Sequence, residues 1–305
     1  MYESFFGLRE QPFALTPNTS FYYGLPPHQE ALEVLRVAIE NGEGFIKVTG
    51  EVGTGKTLVL RKIMNSELAS DCEIAYLPNP YLSASELRVA LVRELEIPDV
   101  QDNDELSVTD AIHCHLIEAH RRGKKVLVLI DEAQDLPDET LEAIRLFGNL
   151  ETESEKLLQI VLFGQPELDE RLSQKKFRQL RQRITFSYEL RPLNLMETSA
   201  YINYRLHASG YGGAPLFTGG AISCIWKASR GIPRLINVLC HKSLMLAYGS
   251  GVLRIKKKTV RYAIEDTPDA RYRSSKVPVV LLMVLFLLAV FAFWWLYDQG
   301  YILQN

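Results

Sequence analysis

A chain of 305 residues that is 47% hydrophobic can bury the core of one large domain or two modest ones, which excludes a disordered or fibrous protein. A net charge of −3 gives no general attraction to nucleic acid or acidic lipid, so either contact needs a local basic patch. Cys72, Cys114, Cys224 and Cys240 lie far apart with no C-x-x-C pair, which argues against a disulfide framework and fits reduced core thiols.

The opening residues, Met1 to Glu10, have no basic stretch followed by an apolar one, so they are not a secretory signal. Residues 1–30 instead carry Phe5, Phe6, Phe13, Tyr22 and Tyr23, an aromatic strap expected to pack on the core near the glycine-rich segment at 50–57. Gly44-Phe45-Ile46-Lys47-Val48-Thr49 reads as a short strand. It runs into Gly50-Glu51-Val52-Gly53-Thr54-Gly55-Lys56-Thr57, which fits the phosphate-loop pattern G-x-x-x-x-G-K-S/T. Glycines there let backbone N–H groups turn inward around phosphates, Lys56 supplies a point charge to the β and γ groups, and the Thr57 hydroxyl can ligate Mg²⁺. A helix starting at Leu58 leaves the loop, and Gly50 to Leu58 is the expected ATP-binding segment.

Downstream, short apolar runs alternate with amphipathic stretches, as an α/β sheet with helices on its faces requires. Strands are expected at 73–77, 125–130, 157–163 and 184–190, helices at 84–95, 108–122 and 139–150, and an acidic solvated loop at 98–105. The strand at 125–130 ends in Asp131-Glu132. Asp131 is suited to hold Mg²⁺, directly or through water, and Glu132 to polarise an attacking water, on a strand expected to neighbour the one entering the loop. Gln165 follows the next strand, where its amide can reach the γ-phosphate and the water or simply cap the strand. Arg178, Arg181 and Arg183 cluster before the last strand; one of them can act in trans as a finger in a neighbouring subunit's site, the alternative being a solvated helix face.

From Arg191 the strand signal ends, and 195–209, 219–229, 233–248 and 256–265 read as four helices of a small lid domain. Gly231-Ile232-Pro233-Arg234 opens the third helix; a cation in a first turn opposes the helix dipole, so a phosphate partner accounts better for Arg234. Residues 253–276 hold eight basic positions against three acidic ones, which suits anionic lipid, with DNA as the other reading. Val277 to Tyr297 contains no charge and is long enough to cross a bilayer as a single helix. Arg271, Arg273 and Lys276 precede it and Asp298 follows, so the positive-inside rule leaves the bulk of the chain cytoplasmic. The expected organisation is a strap at 1–30, a nucleotide-binding α/β domain at 31–190, a helical lid at 191–268, a basic linker at 269–276, a transmembrane helix at 277–297 and a short periplasmic tail at 298–305.

In order, the phosphate loop, Asp131-Glu132, Gln165, the Arg178 to Arg183 cluster and Gly231 to Arg234 resemble the AAA+ ATPases. That resemblance implies a P-loop AAA+ core with a parallel sheet, a helical lid, sensor residues and an arginine finger. More narrowly, Phe5-Phe6-Gly7-Leu8-Arg9-Glu10-Gln11-Pro12-Phe13, Thr49 to Thr57, Asp131-Glu132-Ala133-Gln134-Asp135-Leu136 and Gly164-Gln165-Pro166-Glu167-Leu168 are similar to segments of the ExeA/GspA secretion ATPases and their shorter MshM-type relatives of MSHA pilus biogenesis. The resemblance implies an inner-membrane ATPase using ATP and Mg²⁺ as a nucleotide-dependent homo-oligomer, a ring, with pilus or type II secretion assembly proteins as partners. ExeA-like proteins continue past the membrane helix into a peptidoglycan-binding domain, whereas this sequence stops at Asn305, so the expectation is an ATPase with a membrane tail. The alternative is an ATP-dependent DNA-binding protein, since MuB- and TniB-like transposition helpers share this core and Arg254 to Lys276 is basic; the apolar tail argues against nucleic acid as a partner.

Overall fold

Runs rich in valine, isoleucine, leucine and phenylalanine form five strands, β1 Phe45–Thr49, β2 Cys72–Leu77, β3 Lys125–Ile130, β4 Leu158–Gly164 and β5 Ile184–Glu189, in a computed structural model that describes residues 2–14, 24–78, 81–98, 105–152 and 155–270. They lie side by side in the order β2-β3-β4-β1-β5, and every pairing is parallel. Parallel neighbours need crossovers, and helices supply them. Side chains alternate between the faces: Val126, Val128 and Ile130 join Phe45, Ile160 and Leu162 on one side, while Leu127 and Leu129 join Ile46, Val48, Val161 and Phe163 on the other. Helices α2 (Pro26–Glu40) and α3 (Lys56–Met64) cover the second face through Ala31, Leu35, Val59 and Ile63. The first face is covered by α4 (Ala84–Glu94), α5 (Glu105–Arg121), α6 (Asp138–Phe147), α7 (Pro166–Ser173) and α8 (Arg178–Arg183). Burial on both faces explains the near-continuous apolar runs of β1, β3 and β4, whereas the edge strands β2 and β5 are less buried and carry Glu73, Thr185, Ser187 and Glu189.

One expectation about the sheet is corrected. β3, which leads to Asp131, does not neighbour β1; β4 lies between them and pairs with both. Chain order does not give spatial order in a doubly covered parallel sheet, and a later strand can insert between earlier ones. The insertion places Gln165, just past β4, between the phosphate loop and the carboxylates.

Helices α9 (Leu195–Ala208), α10 (Gly219–Ser229), α11 (Pro233–Gly249) and α12 (Lys257–Glu265) form the lid. Asn194 and Glu197 close a reciprocal capping box at the start of α9. Arg191, in the connection from β5, donates to Glu197 at 2.9 Å and to Glu30 of α2 at 3.1 Å, which ties the root of the lid to the α/β domain.

The amino-terminal strap corrects a second expectation, because Tyr2, Phe6, Leu8 and Phe13 are buried in the lid's own core, with Tyr201, Phe217, Leu239 and Cys240, rather than on the sheet domain. The short helix α1 (Glu3–Phe6) brings the Tyr2 hydroxyl within 2.9 Å of His241 Nδ1, and Phe13 meets Phe217 edge to face. The lid helices alone leave an apolar cleft, and the aromatic rings fill it. Tyr22 and Tyr23 lie outside the described residues. A boundary at residue 31 also cuts into α2, which begins at Pro26. Of the cysteines, only Cys240 is buried and Cys114 is exposed, so they are not uniformly core thiols. No helix among the described residues is long and apolar enough to cross a membrane; the basic Arg271, Arg273 and Lys276, the apolar Val277 to Tyr297 and the tail to Asn305 lie outside the described residues.

Candidate nucleotide-binding site

The carboxyl ends of β1, β3 and β4 share one edge of the sheet, where doubly covered parallel sheets place their ligands. β1 delivers Gly50, whose N–H donates to the Gly164 carbonyl at 3.2 Å. Gly53 and Gly55 have φ of +85° and +105°, in the left-handed region. Side chains there would also collide, since a Cβ on Gly53 would lie 2.5 Å from the Arg234 Cβ and one on Gly55 would lie 2.6 Å from His28 Nε2. Thr54 Oγ1 donates to the Glu51 carbonyl at 2.8 Å and folds the loop back on itself, with Glu51 and Val52 exposed at its tip. Lys56 opens α3 and is almost fully buried, its Nζ donating to the carbonyls of Gly50 at 2.7 Å and Glu51 at 3.3 Å. Burial pushes the Lys56 pKa down from the ordinary lysine value, with Glu132 and Asp131 opposing that shift. The N–H of Leu58 bonds to the Gly55 carbonyl at 2.9 Å and starts the helix. A glycine cradle with a buried ammonium behind it fits a chain of phosphates.

Beside the loop, Thr57 Oγ1 donates to Asp131 Oδ2 at 2.9 Å. Asp131 is buried, which raises its pKa above the usual carboxylate value, while the bonds from Thr57 and the Glu132 N–H act against that rise. A hydroxyl and a carboxylate meeting at the mouth of a phosphate cradle are hard oxygen donors suited to Mg²⁺. Glu132 itself has φ +50°, a left-handed backbone that non-glycine residues seldom adopt. Its Oε2 accepts from Gln165 Nε2 at 3.2 Å and from Gln134 Nε2 at 3.0 Å. Gln134 was not among the residues expected to act from the sequence, although it stands within the Asp131 to Leu136 segment. Its buried amide also donates to Asp135 Oδ2 at 2.8 Å and accepts the Gln165 backbone N–H at 2.9 Å. Two carboxylates facing the nitrogen and an N–H facing the oxygen permit one amide orientation only. Glu132, Gln134 and Gln165 therefore form one network at the mouth of the cradle.

His28 is a second residue the motifs did not single out. It is buried on α2, and its Nε2 donates to the Thr54 carbonyl at 2.7 Å, which requires the Nε2–H form of the neutral ring. Nδ1 is buried without a partner among the described residues, and desolvation lowers the His28 pKa. The available signal was a lone histidine in register with Ala31 and Leu35 on the apolar face of the helix preceding the loop.

From the lid, the Arg234 N–H donates to the Gly53 carbonyl at 3.3 Å, so Arg234 is seated against the loop while its side chain stays exposed. The remaining arginines are not brought to the loop. Ile184 pairs with Phe45 at the amino end of β1, and this register puts Arg178, Arg181 and Arg183 at the sheet edge opposite Lys56. Arg183 donates to the Arg145 carbonyl at 2.8 Å and to Asn149; Arg181 reaches the Ser173 carbonyl at 3.3 Å. Arg178 is exposed and makes no hydrogen bond or ion pair among the described residues.

A phosphate cradle at the carboxyl edge of a β2-β3-β4-β1-β5 sheet, with a helical lid touching it, defines a P-loop protein of the AAA class, and residues 39–172 match the AAA domain family. The fold is similar to that of Cdc6p from Pyrobaculum aerophilum, with a TM-score of 0.60 at 18% identity over 84% of this chain and 70% of that one. It is likewise similar to the Aeropyrum pernix ORC2 protein, with a TM-score of 0.58 at 16% identity over 84% of this chain and 71% of that one. Within the class, the chain is similar to General secretion pathway protein A of Aeromonas hydrophila, to which it is 40% identical over 295 residues, 97% of this chain and 54% of the relative, a match that supports the resemblance to the ExeA/GspA ATPases. The chain thus spans about half the length of the curated relative it matches.

Proposed function

We propose that the chain binds ATP with Mg²⁺ and hydrolyses it as a homo-oligomer, a ring, tethered to the inner membrane with its ATPase domain in the cytoplasm, and that it assists assembly or localisation of a secretion system or a type IV pilus. The observation that carries hydrolysis is the Glu132 carboxylate, held by two amides beside the Thr57–Asp131 pair. In this reading the loop N–H groups and Lys56 bind the phosphates, and Thr57 and Asp131 hold Mg²⁺, which when bound supplies neutralising charge at the phosphates. Glu132 takes the proton of the attacking water, and the Gln165 amide orients that water against the γ-phosphate. Oligomerisation is supported by Arg178, Arg181 and Arg183, which lie at the edge away from their own chain's loop and so can serve a neighbour's. The envelope role is supported by the name of the Aeromonas relative, and the tether by the uncharged run from Val277 to Tyr297.

The test is Glu132→Gln in the full chain. Binding of a fluorescent ATP analogue stays within about twofold while phosphate release falls by about a hundredfold or more, the scale of a lost general base. Unchanged phosphate release would show that Glu132 is not the base.

A further inference from the structure

Exposed apolar side chains gather at one end of the lid. Leu246 and Tyr248, in the last turn of α11, are 40% and 41% exposed, and Val252 and Leu253, in the connection to α12, are 43% and 61% exposed. The same connection carries Arg254 and Lys256, and α12 opens with Lys257 and Lys258, with Arg261 one turn on; all five cations are exposed, and none has a hydrogen-bond or ion-pair partner among the described residues. The acids of this hairpin, Glu265 and Asp266, stand at the other end of α12, where Asp266 pairs with Lys242 at 2.8 Å. Cations at the amino end and acids at the carboxyl end invert the arrangement that a helix dipole favours. Helix stability therefore does not explain the charges. Together with the positive end of the dipole they make a concentrated cationic rim around an aliphatic tip.

We propose that this tip docks on an anionic phospholipid surface, with Leu246, Val252 and Leu253 entering the headgroup boundary while Arg254, Lys256, Lys257, Lys258 and Arg261 bind lipid phosphates. The proposal deepens the membrane-tethered reading and rests on it. Lipid is favoured over nucleic acid because exposed aliphatic side chains find no partner on a phosphate backbone, whereas they partition into the interface between headgroups and acyl chains. Docking fixes the lid against the membrane, so that lid movement around the nucleotide is referred to that surface.

The test uses the full chain with vesicles of phosphatidylcholine alone or of phosphatidylcholine and phosphatidylglycerol in equal parts. Flotation reports the tether, and amide hydrogen exchange of residues 250–262 reports docking. The expected result is flotation with both vesicle types and slowed exchange only on those containing phosphatidylglycerol. The combined variant Lys256→Glu, Lys257→Glu, Lys258→Glu should weaken that protection on the order of a hundredfold or more, from the loss of three surface cations. Acids at the start of α12 suit its dipole, so this variant folds, and unchanged ATP turnover checks that it has. Flotation with equal exchange on both vesicles overturns docking and leaves the tether standing. Flotation on phosphatidylglycerol vesicles alone, with slowed exchange, removes the tether and sustains docking. Exchange slowed by duplex DNA at physiological salt, and not by phosphatidylglycerol, makes the tip a nucleic-acid surface and overturns the proposal.

Discussion

Replacing Gln134 by leucine keeps the volume of the buried side chain and deletes every polar bond it makes. Glu132 Oε2 loses the donor at 3.0 Å and keeps only Gln165 Nε2 at 3.2 Å, and the Gln165 N–H loses its acceptor at 2.9 Å. A hydrogen bond to a charged group contributes about 1.5–3 kcal/mol, and an orphaned buried N–H costs about 1–3 kcal/mol. If the first of these is expressed in the placement of the base, kcat falls between about tenfold and a hundredfold. The second weakens the start of α7, since Gln165 is its N-cap residue, and appears as lower thermal stability. Gln134 makes no hydrogen bond with Lys56, Thr57 or the loop carbonyls, so affinity for a fluorescent ATP analogue stays within about twofold. The assay is steady-state phosphate release alongside that binding titration. Gln134→Glu, which keeps the shape but sets a third carboxylate against Glu132 and Asp135, should be at least as impaired. If Gln134→Leu turns over ATP at the unaltered rate, or loses binding and turnover in equal measure, the amide does not position Glu132.

Two further outcomes follow from the same geometry. Gly231 has φ +76°, and a Cβ there would lie 2.1 Å from the Leu193 carbonyl oxygen, so Gly231→Ala should cost about 2–4 kcal/mol and lower the melting temperature by several degrees; an unshifted melt would contradict the contact. His28 supplies a pH dependence. Burial holds its folded-state pKa below the ordinary 6.5, so as pH falls the unfolded chain takes the proton first. The stability advantage over His28→Gln is then complete above about pH 6.5 and shrinks on descent toward the folded-state pKa, measured by denaturant unfolding from about pH 8 to about pH 5. An advantage that does not change with pH would mean that His28 is not held neutral.

The residues that local rules govern were readable in the sequence. Lys125 to Ile130 and Gly219 to Ser229 form a strand and a helix with the expected ends, because an apolar run and a threonine-capped periodic stretch are short-range signals. The phosphate loop, Asp131, Glu132 and Gln165 were readable for the same reason, since each is fixed by its distance from a strand end. Local sequence does not carry what distant segments do to one another. Nothing near residue 158 says that β4 will insert between β1 and β3, and nothing near Phe6 or Phe13 says whether their rings fill the sheet core or the lid. His28 and Gln134 escaped because a polar residue on a buried face earns its role from the partner it meets, and both meet partners on other elements. The arginines before β5 were legible as a group, but only the strand register shows that they face away from their own chain's loop.

The burial of the amino terminus in the lid sets the order in which this chain can be completed on the ribosome. Tyr2 bonds to His241 across 239 residues, and Arg205 holds the Pro12 carbonyl across 193. At about 5–20 residues per second, the first aromatic rings wait roughly 12–50 seconds for the helices that will bury them. Phe6 and Phe13 thus stay unburied apolar surface until the lid helices are made, long after the nucleotide loop of the sheet domain has emerged. The amino-terminal strap can close onto the lid only after the lid helices are made, with the loop-closure cost of such separated contacts. Slow folding and recruitment of chaperones are therefore expected at the amino terminus, although its residues are synthesised first.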